Sequence, residues 1–225
     1  MGIFFSFVIG SVFGSFFAMV IDRLPQGLSL LFPGSHCGNC ERSLHSWELI
    51  PIVSFLALAG RCRLCGEKIP KFCLYTELLT GLLFVAAWSG ILDWPVFLLL
   101  IMSLILSIID SQIHAFPFVI WLFFALVLVV SLPFQPLNLV WLLLALLATG
   151  LDIKIGAGDF LWLYTASFSL SFIQIVLVLQ LASLAGLGFC FLKKAKFKSK
   201  LKQELPFIPF LSLAYLAVLL LGQIQ

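Results

Sequence analysis

The chain has 225 residues, of which 62% are hydrophobic and only 10% are charged, and its formal net charge is +3. Soluble domains carry about 25% charged residues, so this composition excludes a soluble domain with an ordinary water-facing surface. The mean hydropathy is +1.18, and the apolar residues are gathered into blocks separated by short polar joints. This pattern indicates a protein that crosses a membrane several times.

Eight apolar blocks predict an all-α polytopic membrane protein with about eight transmembrane helices. The first block has no basic segment before it and no cleavage site after it, so we interpret it as a retained helix. Several blocks are shorter than the ~20 residues that a lone helix needs to cross a bilayer, and neighbouring helices must then cover their ends. The predicted spans are residues 3–21, 73–92, 95–109, 117–133, 137–150, 160–172, 173–192 and 206–224.

The basic residues predict the sidedness of these spans. With eight spans and an external N-terminus, the three joints that hold all 13 Lys and Arg residues lie on one side of the membrane. An excess of Lys and Arg marks cytoplasmic loops, so the insert between the first two spans is expected in the cytoplasm. The basic residues are Arg23, Arg42, Arg61, Arg63, Lys68, Lys71, Lys154, Lys193, Lys194, Lys196, Lys198, Lys200 and Lys202.

Two Cys-x-x-Cys pairs in this insert predict a structural zinc site. Each pair forms a knuckle that presents two thiolates, and two knuckles complete a closed tetrahedral site with no position left for catalysis. A pair of disulfides is the alternative, but cytoplasmic thiols are kept reduced. His36 and His45 lie nearby and are interpreted as polar loop residues. The predicted ligands are Cys37, Cys40, Cys62 and Cys65.

The insert also contains an apolar stretch, residues 49–60, which is too short to span a bilayer. It could pack on the membrane face or form the core of the insert.

Two acidic residues at predicted membrane boundaries are candidates for catalysis, because carboxylates are costly in a bilayer. Asp110 ends the third span, and Asp159 begins the sixth within the sequence Gly156-Ala-Gly158-Asp159. The glycines would let an extended peptide backbone approach Asp159. Taken singly, Asp159 could be a helix N-cap and Asp110 an interfacial anchor. Together they suggest a carboxylate pair of the aspartyl-protease kind, which activates water and protonates a leaving amine.

Several motifs in chain order resemble the type IV prepilin peptidases, a family of bacterial membrane aspartyl proteases. The resemblance covers nearly the whole chain. Two departures are Phe118, where the family often has an acid, and the segment Leu161-Trp162-Leu163, where a lysine is common. The matching residues are Gly14-Ser15-Phe16, Asp22-Arg23-Leu24-Pro25, Pro33-Gly34-Ser35-His36-Cys37, Cys40, Ile50-Pro51, Ser54, Gly60-Arg61-Cys62-Arg63, Cys65-Gly66, Tyr75-Thr76-Glu77-Leu78, Thr80-Gly81, Asp110 with Pro117, Gly156, Gly158, Asp159 and Pro206-Phe207-Ile208-Pro209-Phe210.

The resemblance implies a membrane endopeptidase that removes the basic leader of type IV prepilins or pseudopilins at the cytoplasmic face of the bacterial inner membrane. Asp110 and Asp159 would be the catalytic pair. Many members also methylate the new N-terminus with S-adenosylmethionine, and Glu77 is a candidate residue for that activity. The partners expected are the prepilin substrates and the lipid bilayer, and no nucleic acid.

The implied organisation is a first transmembrane helix (residues 1–22), a zinc-binding insert associated with methyl transfer (23–72) and a seven-helix peptidase domain (73–225). Three other functions compete with this one. Another Gly-x-Gly-Asp intramembrane protease would cut within the spanning helix of its substrate, but the cysteine insert argues against it. A proton-coupled transporter also uses paired intramembrane carboxylates, although matching broken repeats are lacking. A non-catalytic assembly factor would explain the zinc insert and leave the aspartates without a role.

Overall fold

A computed structural model describes residues 1–150, 156–196 and 205–222. Within these ranges the regular structure is helical, with two isolated β-bridges in the insert. Two 3₁₀ turns, Leu24–Gln26 and Ser46–Leu49, also lie in the insert. The α-helices are α1 (Gly2–Arg23), α2 (Val53–Ala57), α3 (Lys71–Trp88), α4 (Trp94–Ile113), α5 (Phe118–Ser131), α6 (Pro136–Gly150), α7 (Ala157–Ala166), α8 (Phe172–Lys196) and α9 (Ile208–Gly222).

A helix lies at each of the eight predicted spans, and the all-helical class is confirmed for the described residues. Among those residues, four stretches are long and apolar enough to cross a membrane: Gly2–Gln26, Lys71–Trp88, Trp94–Ile113 and Phe172–Leu192. Helices α5, α6 and α9 are apolar but shorter. The chain is therefore a membrane protein, and the total of eight crossings stays a prediction.

The prediction for the sixth span, residues 160–172, was wrong in its extent. Helix α7 ends at Ala166, because the serines that follow bond to nearby carbonyls and compete with the helix. The Ser167 hydroxyl donates to Tyr164 O at 2.7 Å, and the Ser169 hydroxyl donates to Ala166 O at 3.1 Å. Ten residues rise only about 15 Å, so α7 alone does not cross a bilayer.

The chain divides into two compact units, Met1–Phe97 and Leu98–Gln225, with the boundary in the first turn of α4. The functional division predicted after residues 22 and 72 stays a prediction. Four of the basic residues used to predict sidedness, Lys154, Lys198, Lys200 and Lys202, lie outside the described residues.

In the first unit, α1 and α3 pack with their backbones in close contact. A Cβ atom at Gly14 would lie 2.6 Å from the Cα of Glu77, and one at Gly10 would lie 2.9 Å from the Cα of Gly81. Because residue numbers rise in one helix as they fall in the other, the two helices are antiparallel. Gly10 and Gly14 form a Gly-x-x-x-Gly pattern, which permits this approach in membranes.

Arg23, the last residue of α1, fixes the start of the insert. Its side chain is buried, and its guanidinium donates to Ser29 O at 3.1 Å, Pro33 O at 2.8 Å and Gly34 O at 3.1 Å. The loop after α1 is thereby folded back onto the end of that helix. A residue used as a sidedness signal is thus also a structural anchor.

In the second unit, polar contacts fix the register of α4 against α7 and α9. The Trp162 indole donates to Ser103 Oγ at 2.9 Å, and Ser107 Oγ lies 2.8 Å from Ser212 Oγ. The Trp162 ring also meets the Tyr215 ring edge-on, with centroids 5.9 Å apart. Trp162 and Tyr215 are fully buried, so these three helices share one core.

Candidate active site and metal centre

Asp110 lies one turn before the end of α4, with its carboxylate half-buried. Its Oδ2 accepts a hydrogen bond from the backbone N–H of Ile208 at 3.2 Å. Ile208 is the first residue of α9. The Ser107–Ser212 contact lies one turn before Asp110 in α4 and one turn after Ile208 in α9. The N-terminal end of α9 therefore faces Asp110, and its amide helps to hold the carboxylate in place.

Asp159 lies in the first turn of α7, and the charge of Asp110 acts on it. The Trp162–Ser103 hydrogen bond explains this proximity: Trp162 is one turn beyond Asp159, and Ser103 is two turns before Asp110. Helices α4 and α7 thus run antiparallel with both acids at the same end. The two predicted carboxylates therefore lie on neighbouring helices, at the same end of each.

The two glycines predicted to admit a substrate have different surroundings. Gly156 is exposed, and the nearest atom to a Cβ built there would be Asp159 Oδ2 at 3.6 Å. At Gly158 a Cβ would lie 2.6 Å from the ring of Phe116. Gly158 therefore makes room for an aromatic side chain of the chain itself, while Gly156 stays accessible.

Phe116 was missed by the sequence analysis. It lies in the loop between α4 and α5, and its ring also contacts that of Trp121 with centroids 6.5 Å apart. Nothing in the sequence distinguishes it from the other 23 phenylalanines, because only the folded loop places it over Gly158.

Two of the three residues that depart from the family pattern after Asp159, Trp162 and Leu163, belong to the core. Trp162 is fully buried, and the Trp121 indole donates to Leu161 O at 2.8 Å. Where a lysine is common in the family, this chain has packing and hydrogen bonds that tie α5 to α7.

The four predicted zinc ligands form one cluster, and all four sulfur atoms lie within 4.8 Å of one another. Cys37 Sγ lies 3.7 Å from Cys65 Sγ, and Cys40 Sγ lies 4.0 Å from Cys62 Sγ. A tetrahedral site with Zn–S bonds of about 2.3 Å has sulfurs about 3.8 Å apart, whereas a disulfide needs about 2.05 Å. The cysteines are free thiols with the spacing of a metal site, and the disulfide alternative does not fit.

The two knuckles have the same backbone geometry. The amide of Cys37 donates to Arg42 O at 2.9 Å, and that of Cys62 donates to Glu67 O at 2.7 Å. The residue after each second cysteine has a positive φ, 54° at Glu41 and 71° at Gly66. The insert is therefore built around two equivalent turns, each presenting two sulfurs to a common point.

The thiols are electrostatically unlike one another. The backbone N–H groups of Cys65 and Leu64 lower the pKa of Cys62 to about 6. The amide of Arg42 lowers the pKa of Cys40, but desolvation and the neighbouring thiols outweigh it and raise that pKa to about 11. Four adjacent sulfurs cannot all ionise at neutral pH without a cation, so this donor set suits a metal that binds thiolates.

An ion pair braces the insert away from the sulfurs. Arg42 Nη2 lies 2.7 Å from Glu48 Oε1, and Glu48 Oε2 accepts from the backbone N–H of His45 at 2.8 Å. These hydrogen bonds, that from His45 foremost, lower the pKa of the Glu48 carboxyl. Glu48 thereby closes the 3₁₀ turn Ser46–Leu49 and ties it to the first knuckle.

Glu77, the candidate for methyl transfer, is buried in α3 and has a structural partner. Its Oε2 accepts a hydrogen bond from the backbone N–H of Ile52 at 2.7 Å. Ile52 precedes α2 and has a positive φ of 63°. Glu77 therefore holds the insert against the helix pair of the first unit.

A cavity of about 500 Å³ lies between the insert and this helix pair. Both acidic and basic side chains line it beside sulfur and aromatic groups, and the wall includes Ser15, Asp22, Phe55, Phe72, Cys73 and Glu77. Its size is that of a small-molecule site, which typically measures 300–1,000 Å³.

Comparisons with known proteins agree with the sequence motifs. The sequence model of the Bacterial Peptidase A24 N-terminal domain matches residues 8–91. The prepilin leader peptidase/N-methyltransferase of Bacillus subtilis (strain 168) is 28% identical over 93% of this chain and 92% of its own length. That of Burkholderia pseudomallei (strain K96243) is 28% identical over 97% of this chain and 85% of its own length.

The chain is similar to prepilin leader peptidase/N-methyltransferases along nearly its whole length. The Klebsiella pneumoniae relative is 42% identical over 50% of this chain, and the match spans 54% of that relative's length. No solved structure matches the chain.

These matches confirm the resemblance to the prepilin peptidases. Residues 8–91, which match the N-terminal domain model, contain the cysteine cluster, the cavity and Glu77. The two carboxylates lie in the second unit, beyond the matched domain.

Proposed function

We propose that the chain is a membrane aspartyl endopeptidase that removes the leader of type IV prepilins or pseudopilins at the cytoplasmic face of the inner membrane. The observation that carries the proposal is the convergence of Asp110 and Asp159 from α4 and α7 at one end of the second unit. The names of the relatives supply the substrate class.

The proposed chemistry follows from two carboxyl groups that share one proton. Like charges held close together cannot both ionise readily, so one group is ionised while the other keeps its proton. The ionised carboxylate takes a proton from water, whose oxygen attacks the scissile carbonyl. The protonated group then gives its proton to the leaving amine as the C–N bond breaks.

The approach of the substrate is proposed to run past Gly156. This glycine is exposed next to Asp159 Oδ2, whereas Phe116 covers Gly158. An extended leader peptide could lie along the free backbone at Gly156 with its scissile bond between the two acids.

The proposal is tested by co-expression of the chain with a prepilin and by following leader removal as a gel shift. Asp110→Asn and Asp159→Asn should each abolish processing. An amide in place of either carboxyl group can neither take a proton from water nor give one to the leaving amine. The matched control is Asp93→Asn, since Asp93 is an exposed acid in the joint before α4. Full processing by either active-site variant would refute the carboxylate pair and favour a non-catalytic assembly factor or a transporter.

The cavity of the first unit supports methylation of the new N-terminus as a second activity. S-adenosylmethionine would supply the methyl group. Asp22 could accept hydrogen bonds from the polar groups of such a cofactor, and the aromatic walls formed by Phe55 and Phe72 suit its adenine ring. Mass spectrometry of the mature prepilin would detect the methyl group in the same experiment, and Asp22→Asn should remove it without affecting leader cleavage.

The cysteine cluster is proposed to hold a structural zinc ion. Four thiolates saturate a tetrahedral metal and leave no site for substrate. Metal analysis of the purified chain should find one zinc ion per chain and none in a Cys37→Ser, Cys62→Ser variant.

A further inference from the structure

The apolar stretch of the insert has two faces. On one face Ser54, Phe55 and Leu58 line the cavity of the first unit. On the other, Ile50, Val53 and Leu56 are 47%, 58% and 65% exposed. We call the second set the outward apolar face. No charged residue lies between Glu48 and Arg61, so this face has no polar rim within its own segment.

The depth of this segment is set by its tie to Glu77. The amide of Ile52 donates to Glu77 Oε2 at 2.7 Å, and Glu77 is six residues beyond Lys71, where α3 begins. At 1.5 Å per residue, Glu77 lies about 9 Å inside the end of its helix. The insert therefore reaches down beside α3 rather than standing above it.

Helix α1 gives an independent and somewhat greater depth. Gly14 packs on the backbone of Glu77, and nine residues separate Gly14 from Arg23 at the end of α1, which is about 13 Å. The 22 residues of α1 rise about 33 Å, close to the ~30 Å thickness of the hydrocarbon core. Ile52 is thus tied to Glu77, which lies about 9 to 13 Å inside the ends of α3 and α1.

The backbone N–H groups of Ile52, Ser54 and Leu56 are hydrogen-bonded within the protein, as they must be in lipid. Unpaired N–H groups are very costly in hydrocarbon. The amide of Ile52 is satisfied by Glu77, that of Ser54 by Ile50 O at 3.0 Å, and that of Leu56 by Ile52 O at 3.0 Å. A buried carboxylate thereby completes the hydrogen bonding at the start of α2.

We propose that the outward apolar face is embedded among the lipid acyl chains of the leaflet on the insert side, with Glu77 as its anchor. The partner is the bilayer itself. The insert is then a re-entrant element that enters the membrane beside the α1–α3 pair, and the zinc knuckles lie above it.

The test uses the full chain in phospholipid nanodiscs with a benzophenone amino acid placed at Val53 or Leu56. Irradiation and mass spectrometry then identify the partner of each adduct. The positive reference is Phe16 on the outer face of α1, which is 50% exposed. The matched negative control is Leu64 in the second knuckle, which is 66% exposed and lies next to the exposed charge of Arg63.

Lipid adducts at Val53 and Leu56, in yield comparable to Phe16 and absent at Leu64, are the expected result. Adducts to residues 98–225 or to an added prepilin would overturn the proposal, because a protein surface would then cover the face. A lack of adducts at both positions in chains that retain their zinc would overturn it as well. The zinc content shows that the insert is folded in each labelled chain.

Discussion

At the scale of single residues, the positive φ that follows each second cysteine predicts how a substitution there changes metal affinity. Gly66 has a φ of 71° and no atom within 4 Å of a built Cβ, so only its backbone disfavours a side chain. A left-handed conformation costs an L-residue about 1–2 kcal/mol. Gly66→Ala should therefore weaken metal affinity about 5- to 30-fold, as measured by competition with a chelating dye.

Gly38→Ala is the matched control for this change. Gly38 lies between the cysteines of the first knuckle, also without a neighbour within 4 Å, and its φ is not positive. If the two alanine variants bound metal equally well, backbone strain would not limit the second knuckle.

The hydrogen bonds and ion pair of Glu48 predict how the stability of the insert depends on pH. The pKa of the Glu48 carboxyl is lowered in the folded insert by the hydrogen bond from His45 and then by Arg42. Its contribution to stability is therefore complete above the ordinary carboxyl pKa of 4.5, and it is lost as the pH falls through the lower folded-state pKa.

At neutral pH, Glu48→Gln should make the insert more sensitive to limited proteolysis than the wild-type chain. The difference should disappear in acid, where the wild-type carboxyl is protonated as well. Glu67→Gln changes an exposed side chain and serves as the control. A difference between Glu48→Gln and wild type that persisted in strong acid would assign the effect to packing instead of charge.

At the scale of elements, the contact between α1 and α3 depends on glycine. A Cβ at Gly14 would meet backbone atoms of Thr76 and Glu77 within 2.7 Å, and a backbone cannot move aside as a side chain can. Overpacking of this kind costs about 1–3 kcal/mol. Gly14→Ala should lower the denaturant concentration at which half of the first unit is unfolded. Unfolding is measured in detergent by the sensitivity of the chain to proteolysis.

Gly188→Ala in α8 tests the same substitution where nothing lies within 4 Å of the new methyl group. It should be neutral or slightly stabilising, because alanine favours helices. Equal effects of both substitutions would mean that the α1–α3 contact does not limit stability.

The elements also show what a sequence can predict. Hydrophobic blocks located each helix from α3 to α9, since burial in lipid needs long apolar runs. The length of α7 was missed because Ser167 and Ser169 stop the helix through hydroxyl bonds, which leave the mean hydropathy almost unchanged. The Gly-x-x-x-Gly pattern of Gly10 and Gly14 was present in the sequence and could have predicted the α1–α3 pair.

The candidate site was predictable to a similar degree. Cysteine spacing identified the metal ligands, since each pair is local in sequence and its geometry follows from a short turn. The convergence of Asp110 and Asp159 was inferred from sidedness and from family motifs. The ring of Phe116 over Gly158 and the bond from Ile52 to Glu77 join segments far apart in the chain, and no local pattern encodes them.

At the scale of the whole molecule, we expect the insert to depend on a bound metal for its folding. Among the described residues, no fully buried hydrophobic side chain lies between Leu24 and Pro70. A segment without such a core relies on a metal or a similar crosslink. Removal of zinc with a strong chelator should therefore expose Arg61 and Lys68 to trypsin while the helices of the second unit resist cleavage.

Two variants make this whole-molecule result specific. Cys37→Ser should be cleaved by trypsin even before the chelator is added. Cys73→Ser should behave as wild type, because Cys73 lies in α3 outside the cluster. Resistance of the chelated wild-type insert to trypsin would show that other contacts suffice to hold it.

The position of the outward apolar face between the two knuckles has a mechanical consequence. With the metal bound, residues 41–61 form a closed loop that is short enough to fix where the face can reach. Without the metal, the same residues belong to a longer flexible loop that runs from residue 24 to residue 70. The conformational entropy of such a loop grows with its length. Metal occupancy would then determine how far the outward apolar face can move away from α3.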